Sequence, residues 1–368
     1  MTIEDLALTF IRGLGVRGAA HLIDTYGSAE DVFRTSAYRL KSEVGLRDDV
    51  IKSITSGEGF AEAKQEIAYC RKHGICMVAA TDPEYPQLLR ETSDRPHILF
   101  VKGNVEALNM RTLSMVGTRE MSPSGQNVTN RLIDGLATSL NDLCIVSGLA
   151  YGIDAACHRS AINYDIPSIA VLANTLPEVS PAAHRQLADD IIKHDGAIVS
   201  ELSSQSKQNG KLFIARNRII AGMSMGVVVV ESPCSGGSMA TAEIADSYNR
   251  IVMAVPGRIT DSTSFGTNNL IRSGKARLII TANDIIEDMD WGDATINKSS
   301  SLDTTEEHPD LKPQERVILD AFNDNSELDL DQLLNKSGYT IGELMMILMD
   351  LELKGLVRTL PGHKYEKI

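Results

Sequence analysis

The stretch "VVVVESPCSGGSMATAE", residues 227–243, decides the fold because four consecutive valines are followed by a glycine loop and then by a helical pattern. Valine is enriched in strands. Four apolar residues in a row leave neither face of a strand polar, which is typical of a parallel sheet with helices on both sides. The segment therefore predicts one strand–loop–helix unit of an α/β fold.

Six further short apolar runs repeat the pattern, with helical segments between most of them. This alternation predicts a doubly wound, mostly parallel sheet over residues 106–290. Ligands of such sheets bind beyond the carboxyl ends of the strands. The predicted strands, besides 227–232, are LSMVG (113–117), CIVSG (144–148), SIAVLA (168–173), AIVSE (197–201), IVMAVPG (251–257) and LIIT (278–281).

The flanking segments have different patterns. Residues 1–105 read mostly as helices, with two helix–glycine turn–helix units that resemble a tandem helix-hairpin-helix or SAM-like module. Such hairpins either hold a DNA backbone through their turn amides or only pack. Within this segment, the Pro-rich residues 81–103 predict an extended connector into a strand. The polar residues 291–312 predict a flexible linker, and 313–368 predict three helices and a hairpin, which is a winged-helix-like domain.

Composition excludes several functional classes. The 368 residues carry a formal net charge of −13, which argues against a surface covered with nucleic-acid contacts but not against a local basic groove. The five cysteines are scattered and form no CxxC pair, so we expect neither a zinc site nor a disulfide framework. No apolar run is long enough to span a membrane, and the acidic start is unlike a secretory signal, so we expect a cytoplasmic protein.

One segment is purely basic. "KLFIARNR", residues 211–218, contains Lys211, Arg216 and Arg218 without an acid. We expect Arg216 near the amino end of a helix, where the helix dipole disfavours a cation unless an anion binds there. Phe213 either stacks on a base, as in proteins that hold single strands, or anchors the core.

Loops rich in glycine and small hydroxyl residues follow several predicted strands. Glycine lets backbone amides approach a ligand, and the following helix amino terminus favours an anion. Arg119, in the first such loop, either binds phosphate oxygens in a bidentate manner or is a surface residue. Several such corners on one sheet edge together predict a phosphate-rich ligand.

An enzymatic interpretation starts from other residues. Asp154 and His158 are four residues apart on a predicted helix, but no nucleophile motif surrounds Ser147, so we interpret them as a helix-start residue and a packed histidine. The loop 235–243 resembles the "PGGxGT…E" loop of lysine-decarboxylase-like nucleotide phosphoribohydrolases, with Glu243 in the place of the glutamate. A third hypothesis is a nucleotide-sensing module that binds a small ligand without turnover.

A series of motifs in order resembles the DNA-processing protein A (DprA/Smf) family over about residues 81–290. The motifs are MVGTRE, SGLAYGIDAACH, IAVLA, FIARNRIIAGMS, VVVVES…SGGSMATAEIA, VMAVPG and SFGTNNLIRSGKARLI. Here Ile214 follows Phe213 where the family usually has proline, and "VSPAAH" (179–184) replaces a Tyr-Pro segment.

This resemblance implies an extended Rossmann-like domain that binds single-stranded DNA, transfers it to the RecA recombinase and acts as a homodimer. It implies a protein that is not an enzyme, so we expect no catalytic residues and no cofactor, and the cysteine pattern gives no reason to expect a metal. The residues expected to bind DNA are Gly117, Thr118, Arg119, Ser147, Gly148, Lys211, Phe213, Arg216, Arg218, Gly236 and Gly237.

The C-terminal domain is net acidic. From residue 312 onward, seven Lys and Arg residues stand against ten Asp and Glu residues. A negatively charged module is a poor generic DNA binder. We therefore expect this domain to take part in protein contacts or in weak DNA contacts.

Overall fold

The computed structural model describes residues 1–207, 209–292, 312–322, 327–354, 356–360 and 364–367. The chain divides into two compact units, Met1–Thr295 and Ile296–Ile368. The predicted linker, 291–312, lies outside the described residues except at its two ends. Within the described residues, no helix is both long and apolar enough to cross a membrane, and no three His, Cys, Asp or Glu side chains converge as a metal site.

In the described part of the first unit, nine strands form one sheet. They are β1 (Cys76–Ala79), β2 (Ile98–Gly103), β3 (Arg111–Val116), β4 (Leu143–Ser147), β5 (Ser168–Val171), β6 (Ala197–Ser200), β7 (Gly226–Val229), β8 (Ile251–Ala254) and β9 (Arg277–Leu278).

The helices of this unit are α1 (Ile3–Thr9), α2 (Val16–Tyr26), α3 (Ala29–Arg34), α4 (Ala37–Val44), α5 (Asp48–Thr55), α6 (Phe60–His73), α7 (Gln87–Arg90), α8 (Pro123–Ser139), α9 (Ile153–Asn163), α10 (Arg185–Lys193), α11 (Lys211–Met223), α12 (Gly237–Ser247), α13 (Phe265–Arg272) and α14 (Ala282–Asp288). Short 3₁₀ helices occur at Glu106–Asn109, Ala182–His184 and Ser262–Ser264. Both predicted helix–turn–helix units are present, as α1–α2 and α4–α5.

The strand order is β1-β2-β6-β5-β4-β3-β7-β8-β9. From β6 to β9 all neighbouring strands are parallel. β3 is the central strand of this parallel part. β4, β5 and β6 follow one another on one side of it, and β7, β8 and β9 follow one another on the other side. The mixed α/β class and the mostly parallel sheet predicted from the sequence are confirmed.

The valines of the opening stretch show why the sheet is covered on both faces. Val227 and Val229 pack into one hydrophobic core, and Val228 and Val230 pack into the other. All four are at most 2 % exposed. Because successive strand residues point to opposite faces, only a sheet between two helical layers can bury the whole run.

The amino-terminal segment is mostly helical, and its connector 81–103 leads into the strand β2, as predicted. That its strands join the large sheet was not predicted. β1 and β2 belong to the large sheet, and β2 pairs antiparallel with β6, with Phe100 opposite Ser200. β1 lies in the apolar run 75–80, ICMVAA, which is not among the strands predicted from the sequence.

The second unit contains α15 (Pro313–Phe322), β10 (Glu327–Asp329), α16 (Leu330–Ser337), α17 (Ile341–Leu353), β11 (Val357–Leu360) and β12 (Lys364–Lys367). Its described strands form a sheet in the order β10-β12-β11. The predicted winged-helix arrangement of three helices and a hairpin is confirmed.

Candidate nucleic-acid interface

A groove with a cavity of about 550 Å³ opens at the carboxyl ends of β3 and β7. Four stretches surround it, namely the loop after β3 and the starts of α9, α11 and α12. The lining residues are Val116, Gly117, Thr118, Arg119, Ala150, Asp154, Gly210, Phe213, Ile214, Arg216, Asn217, Ile220, Pro233, Ser235, Gly236, Gly237, Ser238 and Thr241.

The loop after β3 is held by the backbone and side chain of Glu231. The Thr118 N–H donates to the Glu231 carbonyl (2.7 Å), and the Ser122 N–H donates to Glu231 Oε2 (3.0 Å). A β-carbon on Gly117 would lie 2.4 Å from Ile153 Cγ1, so glycine is needed where the loop passes α9. The loop that carries Arg119 is therefore fixed before any ligand binds.

Helix α11 is anchored to β3 at its far end. Thr112 Oγ1 donates to the Met223 carbonyl (2.6 Å), and Ser114 Oγ donates to the Ile220 carbonyl (2.7 Å). These buried bonds satisfy polar side chains that would otherwise be costly inside the sheet core. These bonds consequently fix the position of α11, including its first turns, relative to the carboxyl ends of the strands.

Arg119 and Phe213 meet at the mouth of the groove. The Arg119 guanidinium carbon lies 5.9 Å from the centre of the Phe213 ring. Both side chains are exposed, and Arg119 forms no ion pair with any of the described residues. An exposed arginine without an ion-pair partner can bind a phosphate, and an exposed ring beside it can stack on a base.

Arg216 lies on the groove floor instead of at the helix end, which corrects its predicted position. Because α11 starts at Lys211, Arg216 falls in the second turn and is only 6 % exposed. Its Nη1 donates to the carbonyls of Gly148 (2.7 Å) and Val171. Burial lowers the pKa of Arg216 to about 10, and the nearby Asp154 opposes this shift.

Asp154 and Arg216 share the space above Gly148. A β-carbon on Gly148 would lie 2.6 Å from both Arg216 Nη2 and Asp154 Oδ2. Burial raises the pKa of Asp154, and Arg216 acts against that rise. Ser147, expected to contact DNA, is fully buried and donates to the Met115 carbonyl (2.7 Å). Ser147 and Gly148 thus shape the floor.

The glycine loop before α12 forms the opposite wall. Gly236 has φ +146°, a conformation that other residues rarely adopt. Asn217 Nδ2 donates to the Gly237 carbonyl (3.1 Å), which joins α11 to this loop. The first amides of α12, at Gly237 and Ser238, begin a helix of 11 residues whose amino terminus favours an anion.

Two predicted cations lie outside the groove lining. Arg218 pairs with Glu201, with Nη2–Oε2 at 2.5 Å and side chains 11 % and 14 % exposed. Arg218 is therefore an internal ion-pair partner in this structure. Lys211 is exposed at the first position of α11, where its backbone N–H donates to Asn209 Oδ1 (3.0 Å).

Of the side chains in the enzymatic interpretation, Asp154 lines the groove, but Glu243 and His158 do not. Glu243 is exposed and lines a separate cavity with Arg272 and Lys275. His158 is fully buried, with Nδ1 3.1 Å from Ser168 Oγ. The Gly236–Gly237 loop therefore lacks the nearby glutamate that the phosphoribohydrolase interpretation assigned to it.

Sequence reasoning missed several lining residues, among them Ala150, Ile214 and Asn217. Gly210, Phe213, Ile214 and Asn217 all line the groove and follow the spacing i, i+3, i+4, i+7. That spacing defines one face of a helix. Helical periodicity counted from Phe213 would therefore have indicated Gly210, Ile214 and Asn217, but not Ala150.

Comparison with known proteins adds to this geometry. Residues 76–290 match the family described as DNA recombination-mediator protein A, and residues 303–363 match the DprA winged helix domain. Protein Smf of Escherichia coli K12 is 34 % identical over 291 residues, which cover 78 % of this chain and 76 % of that protein.

Two solved structures are similar. The X-ray structure of DNA processing protein A from Streptococcus pneumoniae aligns with a TM-score of 0.66 and 31 % identity, covering 78 % of this chain and 98 % of that one. DNA processing protein A from Helicobacter pylori, whose structure is described as giving insights into its single-stranded DNA binding mode, aligns with a TM-score of 0.52 and 25 % identity, covering 59 % and 96 %.

Proposed function

The chain belongs to the DNA recombination-mediator protein A family, and on that premise we propose that it binds single-stranded DNA in the groove at the carboxyl ends of β3 and β7. One observation carries this proposal. An exposed arginine without an ion-pair partner among the described residues, Arg119, lies beside an exposed ring, Phe213, at the mouth of a groove whose opposite wall is a helix amino terminus. This combination suits a chain of alternating phosphates and bases.

The position of each residue in or near the groove suggests which part of the DNA strand it would contact. Arg119 would pair with one phosphate, and the amides of Gly236 and Gly237 at the start of α12 would hold another. Phe213 would stack a base. Arg216, on the floor, would supply a buried positive charge that Asp154 partly balances. Lys211, exposed at the start of α11, would contact the strand as it leaves the groove.

The wider role follows from the family. We propose that the protein acts in the cytoplasm as a homodimer, protects single strands and assists their loading with RecA recombinase. It would do so by binding alone, without a cofactor. The acidic surface outside the groove would limit binding to unrelated nucleic acid.

The central experiment is fluorescence anisotropy of a labelled poly-dT oligonucleotide over a series of salt concentrations. Arg119→Ala should weaken binding and reduce the slope of log K against log[salt] by about one contact, roughly 0.7 for a single strand. Arg131, exposed on α8 and outside the groove lining, gives the matched control. Arg131→Ala should leave both quantities unchanged.

Absence of binding by the folded wild type at low salt would refute the proposal. Equal losses for Arg119→Ala and Arg131→Ala would refute the placement of the groove. RecA-dependent strand pairing, with and without the protein, tests the recombination role, and sedimentation equilibrium tests the dimer. Each of these can fail while DNA binding itself holds.

A further inference from the structure

The outer face of α17 in the winged-helix unit is apolar and uncovered within the described part of that unit. Ile341, Met345, Met346 and Met349 are between 47 and 73 % exposed. Ile341, Met345 and Met349 recur every four residues, which places them along one side of the helix. The opposite side of α17 is fully used in the core of the unit by Leu344, Ile347, Leu348 and Leu351. The exposed face is thus additional to what the fold requires.

Acids lie within this face and along one of its edges. Glu352 is exposed and, eleven residues after Ile341 and seven after Met345, lies between those two side chains on the helix. Glu343 and Asp350 lie beyond Met346, where Asp350 also pairs with Lys312 (3.0 Å). Residues 341–353 contain no lysine or arginine. The apolar face therefore contains one acid and is bordered by two more beyond Met346.

We propose that the outer face of α17 docks an amphipathic helix of a protein partner, whose apolar stripe is bordered by lysine or arginine. Methionine side chains are flexible and polarisable, which suits a surface that adapts to a helix laid across it. Glu343 and Glu352 supply the complementary charge and so favour a basic helix over an acidic one.

The same charges disfavour other occupants. If a second copy of this unit docked here, the acids Glu343, Asp350 and Glu352 would lie near the same acids of the other copy and repel them. A DNA duplex would meet carboxylates and methionines where this helix would need cations for phosphate. An anionic membrane surface would be repelled in the same way.

A designed leucine–lysine amphipathic helix serves as the probe, and a matched leucine–glutamate helix serves as its control. Full-length protein is labelled with ¹³C at the methionine methyl groups, and the signals of the α17 methionines are assigned with single Met→Leu variants. The lysine helix should shift the signals of Met345, Met346 and Met349 at concentrations where the glutamate helix shifts none. The Met→Leu variants should keep their affinity because they stay apolar.

A second variant tests the face itself. The double change Met346→Gln and Met349→Gln, at exposed positions that the core does not use, should lower affinity for the lysine helix by roughly tenfold or more. Glu352→Gln should weaken binding and reduce its salt dependence. Unmoved methionine signals, equal binding of both probes or unchanged affinity of the Gln variant would overturn the proposal. Self-association of the wild type that the Gln variant loses would assign the face to a second copy instead.

Discussion

The Arg119 guanidinium lies 5.9 Å from the centre of the Phe213 ring, although Arg119 follows β3 and Phe213 lies in the first turn of α11. The two elements are positioned independently, the loop by Glu231 and the helix by its bonds to β3. A cation and a ring brought together from separate, anchored elements form a preorganised contact, which reduces the ordering cost of binding a flexible strand.

Replacement of Phe213 should therefore weaken binding without changing its salt dependence. Phe213→Ala removes the ring but no charge, so we expect a loss of about 1–3 kcal/mol for a stacked base with an unchanged salt slope. Phe213→Trp should retain most of the affinity. Phe265, similarly exposed at the start of α13 and outside the groove lining, provides the control, since Phe265→Ala should not affect anisotropy titrations. Equal losses from both alanine variants would contradict a stacking role.

Arg218 should behave as a structural residue and not as a phosphate contact. Burial raises the pKa of Glu201, and its ion pair with Arg218 opposes that rise. Arg218→Ala would leave Glu201 buried without a partner, which costs about 3–5 kcal/mol of folding free energy. Urea unfolding measures this loss. The salt slope of DNA binding by the folded fraction should equal that of wild type.

The double variant Arg218→Met with Glu201→Gln separates the two roles. Removing both charges should recover much of the stability lost in Arg218→Ala, because no unpaired charge remains. A reduced salt slope in this stable double variant would mean that Arg218 does contact phosphate.

The sequence was most informative where one local pattern determines the structure. The valines 227–230 indicated a strand buried on both faces, and the alternation of similar runs with helical segments was enough to predict the parallel sheet. The glycine and hydroxyl loops at the strand ends likewise indicated which edge holds the groove, because parallel strands place their carboxyl ends together. Sequence pattern points to Arg119 and to Phe213 separately, and only the fold shows that they lie together.

Features that depend on tertiary partners could not be predicted from the sequence. Arg216 and Arg218 are two positions apart in one basic segment, yet one lies on the groove floor and the other pairs with Glu201. Charge pattern cannot show which carbonyl or carboxylate a side chain will meet. The edge strand β1 was missed although it lies in an apolar run, 75–80, and its antiparallel pairing with β2 depends on a tertiary partner.

Two glycines with similar φ angles but different ψ angles, 30° for Gly45 and −129° for Gly152, should respond very differently to alanine. Gly45 (φ +70°) ends α4, and a β-carbon added there would have no neighbouring atom within 4 Å, so Gly45→Ala should cost only about 1–2 kcal/mol of backbone strain. Gly152 (φ +75°) would place a β-carbon 2.2 Å from the Thr118 carbonyl oxygen. Gly152→Ala should therefore cost more stability and also weaken DNA binding, since the displaced loop carries Arg119. Equal unfolding free energies for the two variants would contradict this packing.

The buried His158 should make the fold sensitive to acid. Burial, aided by the charges of His184 and Arg216, lowers the pKa of His158 to about 3, and its Nε2 has no hydrogen-bond partner among the described residues. Between about pH 6.5 and 3 the unfolded chain binds a proton that the folded protein does not, so stability falls as the pH is lowered. Within this pH range His158 lowers the free energy of unfolding by up to about 1.4 kcal/mol for each pH unit of acidification.

His158→Asn keeps a polar group near Ser168 but cannot take up that proton. Between about pH 6 and pH 4, the unfolding free energy of the variant should therefore decline less steeply than that of wild type. The difference in slope should correspond to about one proton fewer taken up on unfolding. Wild type and variant are measured in the same buffers, so that the other titrating groups are common to both curves. Parallel stability curves for wild type and His158→Asn would show that this histidine already carries its proton in the fold.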